Sequence, residues 1–256
     1  MIDVNVFLGS YPFRRVPGTS PEAVRAALDR VGIREAWVSH LPGLYWRDPT
    51  EGNPWLYGVA ARETRFRPVP AVHPGLPGWE RVLDEALARR APAVRADPGC
   101  YALAPAGPEM CRLAQAAGER GLVLLLAVRL EDQRQRHPND VAPELPAAAV
   151  RALVRCHPGV RLLVTLADRN FVEEVHYGST PEEAARIWWD VAWVWGPPED
   201  HLALLLETMG PQRFVLGTGQ PLRLPEAVIA RLDLLDLSPA ARHMISELNA
   251  SRLAPR

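Results

Sequence analysis

Short apolar runs alternate with amphipathic segments along the whole chain. Several of the runs are apolar throughout, which is typical of strands that are buried on both faces. We predict eight strands, at 2–8, 35–40, 66–73, 92–97, 122–130, 160–167, 187–195 and 213–219.

Helix-start signals lie between the predicted strands. Ser20 stands before Pro21, so we predict Ser20 as an N-cap with proline at the first helical position, where a missing N–H costs nothing. Asn53-Pro54, Thr180-Pro181 and Ser238-Pro239 repeat this pattern, and Thr180 with Glu183 fits a capping box. Further amphipathic segments predict helices at 79–89, 109–120, 147–156, 199–209 and 225–235.

Strands that are each followed by at least a short helix favour the α/β class. Eight such units predict a (β/α)8 TIM barrel, regular or distorted, in a single domain spanning residues 1–256. A doubly wound open sheet is the alternative. No glycine-rich phosphate loop follows a predicted strand, which argues against nucleotide binding.

Composition excludes several classes of function. The formal net charge is −1 and no apolar run reaches the roughly 20 residues of a membrane span, so we expect neither nucleic-acid nor membrane binding. All 29 basic residues are arginine, which excludes a Schiff-base lysine, a P-loop lysine and a carbamylated-lysine metal bridge. The three cysteines have no metal-ligand spacing, and we expect them to be reduced in a cytoplasmic protein.

Three segments carry a resemblance to a known family. They are IDVNVFLG at the first strand, RFVLGTGQPL at the eighth and NASRL near the C-terminus. In this order they resemble the amidohydrolase superfamily, specifically the amidohydrolase 2 branch of TIM-barrel, metal-dependent hydrolases and decarboxylases. The resemblance extends over nearly the whole chain and implies that fold.

The chain departs from this family at the positions that hold the metal. The two strand-1 histidines of the family fall on Asn5 and Phe7, and its strand-8 aspartate falls on Gly219. Its strand-5 and strand-6 histidines fall near Ala127 and Leu166. Because these side chains are poor ligands or none, we predict no metal and no cofactor. Phe7 is a plausible plug for the space that a metal and its water need.

Polar residues at the predicted strand ends are the candidates for a site at the barrel mouth. Strand alternation turns a set of side chains inward. Two arginines there, Arg95 and Arg129, would bind a carboxylate or phosphate, or each would pair with a nearby acid as scaffold. The predicted ligand-binding residues are Asn5, Arg95, Arg129, Asp168 and Gln220.

The catalytic residues are left as candidates. His40 and His73 end two strands, where each is either a general base or a structural histidine. Asp190 lies among tryptophans, which would raise its pKa if it is buried without an arginine partner. The tryptophans themselves are consistent with three roles: part of the hydrophobic core, a wall for a planar ligand, or an oligomer contact. His176 and Tyr177 are predicted in a loop that could fold over the mouth.

Two functions remain open. The first is a divergent, metal-free and non-hydrolytic barrel that binds a small metabolite, for example an anionic one, or acts as an assembly protein, with a homo-oligomer as one option. The alternative is a metal-independent hydrolase, decarboxylase or lactonase acting on a small carboxylic acid.

Overall fold

Eight parallel strands form the centre of the molecule. The computed structural model describes residues 1–194 and 201–254, and within them the strands follow one another in chain order. They are β1 (Ile2–Leu8), β2 (Glu35–His40), β3 (Phe66–Pro68), β4 (Val94–Arg95), β5 (Val123–Ala127), β6 (Arg161–Thr165), β7 (Ile187–Asp190) and β8 (Phe214–Val215).

The strands close into a barrel. Regular ladders join β1 to β3 and β4 to β8, and two parallel bridges connect these sheets, between Val6 and Gln220 and between Ala71 and Arg95. The predicted (β/α)8 barrel is therefore confirmed. Most strands are shorter than predicted, because their C-terminal residues leave the ladder to line the mouth.

Helices surround the barrel. Within the described ranges they are α1 (Pro21–Arg30), α2 (Asn53–Arg62), α3 (Glu80–Ala88), α4 (Pro108–Glu119), α5 (Ala147–Arg155), α6 (Arg169–Tyr177), α7 (Pro181–Ala184), α8 (His201–Met209), α9 (Pro225–Leu234), α10 (Pro239–His243) and α11 (Asn249–Leu253). Short 3-10 turns lie at Pro42–Tyr45, Pro49–Gly52 and Pro211–Arg213, and a π-helical turn at Met244–Leu248. The last residue of the predicted strand 187–195 and the first two residues of the predicted helix 199–209 lie outside the described residues.

The predicted helix caps are confirmed in three cases and differ in one. Ser20 and Ser238 each accept a backbone N–H, and Thr180 with Glu183 forms a capping box. Asn53 is instead the first residue of α2, and its side chain bonds both backbone groups of Ala71, each at 2.9 Å. This amide therefore ties the β2–α2 connection to the end of the third strand.

The prediction of a loop at His176 and Tyr177 is wrong. Both residues form the last part of α6. This helix begins after Asp168, whose carboxylate accepts the backbone N–H of Phe171 at 2.9 Å. A carboxylate at an N-cap satisfies one of the N–H groups that have no partner within the helix.

A bulge in β1 decides which of its residues enter the barrel. Asp3 pairs with Ala36 and Val6 with Val38, so β1 has one extra residue between these pairs. Val4 packs in the apolar layer at the bottom of the barrel, while Asn5 reaches polar side chains of other strands. A bulge commonly re-aims a side chain in this way.

The interior of the barrel is layered. A lower apolar layer contains Val4 and Trp37 and is closed by Ala250 and Leu253 of α11. An upper apolar layer around Phe7 fills the mouth; its buried members also include Tyr11, Leu41, Leu44, Ala71, Ala127, Leu130, Leu166, Ala192 and Trp193. A buried polar layer lies between the two.

Cys111 and Cys156 are joined as a disulfide, so the prediction that all three cysteines are reduced is wrong. The two Cα atoms are 5.6 Å apart although the residues are 45 positions apart in sequence. Packing of α4 against α5 brings them together, and sequence spacing does not reveal this. Cys100 is the free cysteine.

In the part of the chain that the structure describes, every helix is too short or too polar to cross a bilayer.

Candidate site at the barrel mouth

A three-residue hydrogen-bond chain crosses the polar layer. Asn5 of β1 donates from Nδ2 to Asp190 Oδ2 at 2.8 Å, and its Oδ1 accepts from Arg95 Nη2 at 2.9 Å. All three side chains are buried. These three residues face the barrel interior, as the strand alternation predicted. The ligand-binding roles of Asn5 and Arg95 and the catalytic role of Asp190 stay predictions.

Asp190 has both carboxylate oxygens engaged. Besides the bond from Asn5, Oδ1 accepts the backbone N–H of Leu166 at 2.8 Å. Burial raises the pKa of Asp190 to about 6, and the hydrogen bonds from Leu166 and Asn5 limit that rise. No arginine bonds this carboxylate within the described residues, so the raised pKa expected from the sequence is present.

Gly217 makes room for the pair of Asn5 and Asp190. A Cβ at position 217 would lie 2.7 Å from both Cβ and Oδ2 of Asp190 and 3.1 Å from Cβ of Asn5. Such separations are shorter than carbon and oxygen atoms tolerate. Glycine is therefore required by close packing in this layer.

Arg95 covers the ring of Phe7. Its Cζ lies 4.4 Å from the ring centroid, and its side chain is only 1% exposed. Burial lowers the pKa of Arg95, whereas the nearby Asp97 opposes the shift. Phe7 is fully buried in the upper apolar layer, so the ring occupies the centre of the mouth as a plug.

Asp3 is a buried acid that the sequence analysis did not single out. Its carboxylate accepts the backbone N–H groups of Asn5 and Thr218, each at 3.0 Å, and the Thr218 hydroxyl at 2.5 Å. Burial raises the pKa of Asp3 to about 7 despite these bonds. An acidic residue near the start of a mostly apolar strand is the sequence signal that could have identified it.

Arg223 is a second cation at the mouth, partly buried after β8, and it was also missed. Its Cζ lies 4.0 Å from the ring centroid of Trp193, and burial lowers its pKa to about 10. Gly219 has a φ of +73°, and a Cβ there would lie 3.2 Å from Arg223 Nη1. The guanidinium thus packs against the space that a side chain at position 219 would enter.

The residues at the family's metal positions do not fit a divalent ion. The strand-1 positions hold an amide that is bonded to Arg95 and an aromatic ring that is covered by Arg95, and the strand-8 position is a glycine beside Arg223. A divalent cation needs several lone-pair donors and is repelled by two nearby guanidiniums. Across residues 1–194 and 201–254, no group of three or more His, Cys, Asp or Glu converges for a metal.

Arg129 lies at the rim and is paired on both sides. Its Nη1 donates to Asp168 at 2.8 Å and its Nη2 lies 3.1 Å from Glu144 Oε2. Arg129 is thus paired with nearby acids, which is the scaffold alternative of the sequence analysis. Arg95 and Arg129 therefore do not converge as a bare two-arginine clamp.

His40 and His73 stay apart from Asp190. His40 lies between Trp46 and Trp55, with ring centroids 5.0 and 4.8 Å away, and burial lowers its pKa. His73 accepts the backbone N–H of Gly75 through Nδ1 at 3.1 Å and stacks on Tyr101. Neither imidazole forms a hydrogen bond to Asp190 among the described residues.

Gln220 is positioned by its backbone. Its carbonyl accepts the N–H of Phe7 at 2.7 Å, and its own N–H donates to Thr218 Oγ1 at 3.2 Å. The peptide bond to Pro221 is cis. The residue therefore helps to join β8 to β1, and its side chain is buried.

A cleft opens beside the plug, at the C-terminal ends of β4 and β5. The cleft is small, and the centres of water-sized molecules have about 30 Å³ available inside it. Asp97, Cys100 and Arg129 form part of its wall together with Tyr45, Arg136, Asp140 and Glu144. The C-terminal ends of barrel strands are where TIM-barrel proteins place their sites.

Comparison with known proteins identifies the fold. No family model and no curated protein matches the sequence. Among solved structures, 5-carboxyvanillate decarboxylase from Sphingomonas paucimobilis matches with 13% identity and a TM-score of 0.77, over 99% of this chain and 98% of the other. A putative amidohydrolase from Staphylococcus aureus matches with 11% identity and a TM-score of 0.75, over 99% of each chain.

A third structure in this comparison contains a metal. It is a dihydroxybenzoic acid decarboxylase from Polaromonas with bound manganese and the inhibitor 2-nitroresorcinol, at 13% identity and a TM-score of 0.73, over 98% of this chain and 96% of the other. At such identities the likeness concerns the fold. The chain therefore has the TIM-barrel fold of the amidohydrolase-type decarboxylases and hydrolases.

Proposed function

We propose that this chain is a metal-independent amidohydrolase-type barrel that binds a small carboxylate at its mouth and does not hydrolyse it. The observation that carries the proposal is the position of Arg95, whose guanidinium lies on Phe7 and bonds Asn5 where the family resemblance places metal ligands. The positive charge of Arg95 replaces that of a metal ion, because it compensates the negative charges of the buried acids in the same layer.

The residues at two positions, Gly219 and Asp190, support the non-hydrolytic part of the proposal. The family's strand-8 aspartate has no counterpart at Gly219, and Asp190 uses both oxygens within the core. A general base needs to reach the proton that it removes. Asp190 is fully buried beneath the upper apolar layer and cannot reach a solvent-borne substrate.

The charges of the rim support a carboxylate as the ligand. The open cleft presents Arg129 and Arg136, and the acids Asp140 and Glu144 stand beside them. Arg129 already binds two carboxylates of the protein, and a ligand carboxylate would bind by exchange with one of them. Decarboxylases that share the fold are named for substrates with carboxylate groups.

The alternative is a metal-independent decarboxylase, lactonase or hydrolase acting on a small carboxylic acid. Two observations favour it: the structures that share the fold include decarboxylases, and burial holds the pKa of Asp190 near 6, in the range of a proton-transfer group. It requires the upper apolar layer to open, since Phe7 closes the path to Asp190.

A ligand screen with a paired activity assay tests the proposal. Benzoate, citrate, malate and their methyl esters are compared by thermal shift, since binding to the native state raises Tm. We expect the free acids, and not the esters, to raise Tm, with no release of carbon dioxide or alcohol. Arg129→Gln is expected to weaken this response, whereas Arg34→Gln, an exposed arginine on the opposite end of the barrel, serves as the control.

The outcomes separate the two functions. A Tm response to the acids without turnover supports the binding function. Turnover of an acid, ester or lactone that is lost in Asp190→Asn supports the alternative. If no acid binds and none is turned over, the proposed carboxylate specificity is wrong.

A further inference from the structure

A second groove opens where the chain leaves β7 and β8. Its walls are formed by residues after these two strands, by the first turn of α9 and by segment 131–135 after β5. The centres of water-sized molecules have about 370 Å³ available in this groove, against about 30 Å³ in the cleft beside the plug. No described residue lines both spaces, so the groove is separate from the cleft.

Arginine dominates the polar part of the groove. Four arginines and two acids line it, which gives the described lining a formal charge of +2. The arginines are Arg14, Arg134, Arg223 and Arg231, and the acids are Glu131 and Asp132. A concave surface with such an excess of one sign of charge concentrates ions of the opposite sign, so this groove attracts anions.

Both acids of the groove are held by arginines at its edge. Arg14 Nη2 lies 2.6 Å from Glu131 Oε1, and Arg134 Nη2 lies 2.6 Å from Asp132 Oδ2. The hydrogen bonds from Arg134 lower the pKa of Asp132 to about 2. These pairs leave neither acid in direct contact with Arg223.

Arg223 is a cation that the fold holds in place. Its guanidinium lies on Trp193, with Cζ 4.0 Å from the ring centroid, and its Nη2 donates to the carbonyl of Leu130 at 3.2 Å. Its Nη1 finds no hydrogen-bond partner among the described residues. A group that is already fixed loses little freedom when a ligand binds, which raises affinity.

The position of the groove in the barrel favours a phosphate group as the anion. Loops after strands 7 and 8 of TIM barrels frequently form phosphate sites with the N-terminus of a helix. Here these loops contribute Trp193 and Arg223, and α9 begins beside them at Pro225. Guanidinium groups match the oxygens of a phosphate with two parallel hydrogen bonds.

The remaining part of the lining is apolar. Leu222, Leu224, Ala227 and Val228 belong to it, and Leu224 is 68% exposed. Exposed apolar surface gains free energy when an organic group of a ligand covers it. The lining therefore suits an organic ester of phosphate better than the inorganic ion.

We propose that this groove binds a small organic phosphate monoester, whose phosphoryl oxygens accept hydrogen bonds from Arg134 and Arg223 and whose organic group lies on Leu222 and Leu224. The site is independent of the carboxylate-binding function, because it uses other residues. Binding is non-covalent, and no bond is formed or broken.

Four ligands separate the contributions of charge and organic group. Phenyl phosphate, phenyl sulfate, inorganic phosphate and benzoate are compared by calorimetry on the native full chain at about pH 8, where a phosphate monoester carries nearly two negative charges. We expect phenyl phosphate to bind at least about 5-fold more tightly than phenyl sulfate, because of its second charge. The same margin is expected over inorganic phosphate, because of the phenyl ring.

Arginine variants locate the site. Arg134→Gln is expected to weaken the binding of phenyl phosphate at least about 5-fold, because it removes a donor and releases the charge of Asp132. Arg34→Gln is the matched control: Arg34 is 73% exposed and Arg134 77%, each pairs with one acid, and Arg34 precedes β2 at the other end of the barrel. The control is expected to bind phenyl phosphate as the native protein does.

Arg223→Gln tests the fixed cation. We expect it to weaken the binding of phenyl phosphate at least about 10-fold, because it removes the charge that lies on Trp193. If this variant does not fold, Arg134→Gln and the four ligands still decide the question. Unchanged affinity in Arg134→Gln, or equal affinities for phenyl phosphate and phenyl sulfate, would show that the proposal is wrong.

Competition with benzoate separates this site from the carboxylate site. Saturating benzoate is expected to leave the affinity for phenyl phosphate within about 2-fold, because the groove and the cleft share no described lining residue. Displacement by benzoate, or no binding of phenyl phosphate up to about 10 mM, overturns the inference. If phenyl phosphate binds and no carboxylate does, the proposed function is wrong and the phosphate site stands.

Discussion

The guanidinium of Arg95 lies over the ring of Phe7, with its Cζ 4.4 Å from the ring centroid. The same side chain bonds Asn5, which in turn bonds Asp190. A cation over an aromatic face is worth more in a desolvated site than at a surface. This contact therefore joins the upper apolar layer to the polar layer beneath it.

Removal of the Arg95 charge is expected to destabilise the barrel strongly. Arg95→Met preserves much of the side-chain volume but leaves Asp97 and Asp190 without their nearby cation. Breaking such a buried arrangement costs about 3 kcal/mol or more. The free energy of unfolding from urea denaturation measures this loss.

The control for this variant is an exposed arginine. Arg30→Met removes a surface ion pair with Glu226, and exposed pairs contribute about 1 kcal/mol or less. Equal losses in the two variants would contradict a special role for Arg95.

Alanine is expected to change the free energy of unfolding in opposite directions at two glycines, one in the polar layer and one in a helix. Gly217→Ala places a Cβ 2.7 Å from Asp190 and is expected to cost about 2 kcal/mol. Gly58→Ala lies in the interior of α2, where a Cβ meets open space, and is expected to stabilise by about 0.5 kcal/mol. Chemical denaturation of both variants tests the pair, and a tolerated Gly217→Ala would show that the Asn5–Asp190 contact is looser than described.

The buried carboxyl of Asp3 predicts that the free energy of unfolding falls as the pH rises towards 7. Its pKa is raised from 3.8 to about 7, so the native state holds a proton that the unfolded state has already released. This contribution is fully present at low pH and is lost as the pH rises through about 7. Asp3→Asn mimics the protonated form, which removes the loss.

The measurement compares the two proteins at different pH. We expect the stability of the native sequence, relative to Asp3→Asn, to fall by about 3 kcal/mol from about pH 5 to about pH 8. Asp132→Asn is the control, because the pKa of Asp132 is lowered to about 2 by Arg134 and does not titrate in this interval. A difference between native and Asp3→Asn protein that is independent of pH would show that Asp3 is ionised throughout.

The disulfide between Cys111 and Cys156 predicts the thiol content. Denatured, unreduced protein is expected to react with maleimide at Cys100 alone, as read by mass spectrometry. Reduction is expected to lower the free energy of unfolding by about 3 kcal/mol, because the bond closes a loop of 45 residues. Labelling of all three cysteines without reductant would contradict the pairing.

The alternation of apolar runs and helix starts was sufficient to predict the barrel. It also placed Asn5, Arg95 and Asp190 on its inner face, because these residues lie on strands whose neighbours are apolar. The bulge in β1 is not visible in that pattern, since one extra residue changes the direction of side chains without changing composition.

Other features of the site depend on contacts that sequence spacing does not contain. Arg223 lies after the last strand, and only the close approach of its guanidinium to Gly219 and Trp193 reveals that it packs beside the upper apolar layer. The pairing of Arg129 with Glu144 likewise depends on how the segment after β5 folds back over the strand.

Metal content distinguishes a mouth held by guanidiniums from one held by a divalent ion. Protein purified without chelator is expected to contain far less than one divalent ion per chain, and added manganese or zinc is expected to leave its Tm unchanged. Stoichiometric metal, with anomalous scattering that places the ion between Asn5 and Gly219, would contradict a core held by the guanidiniums of Arg95 and Arg223.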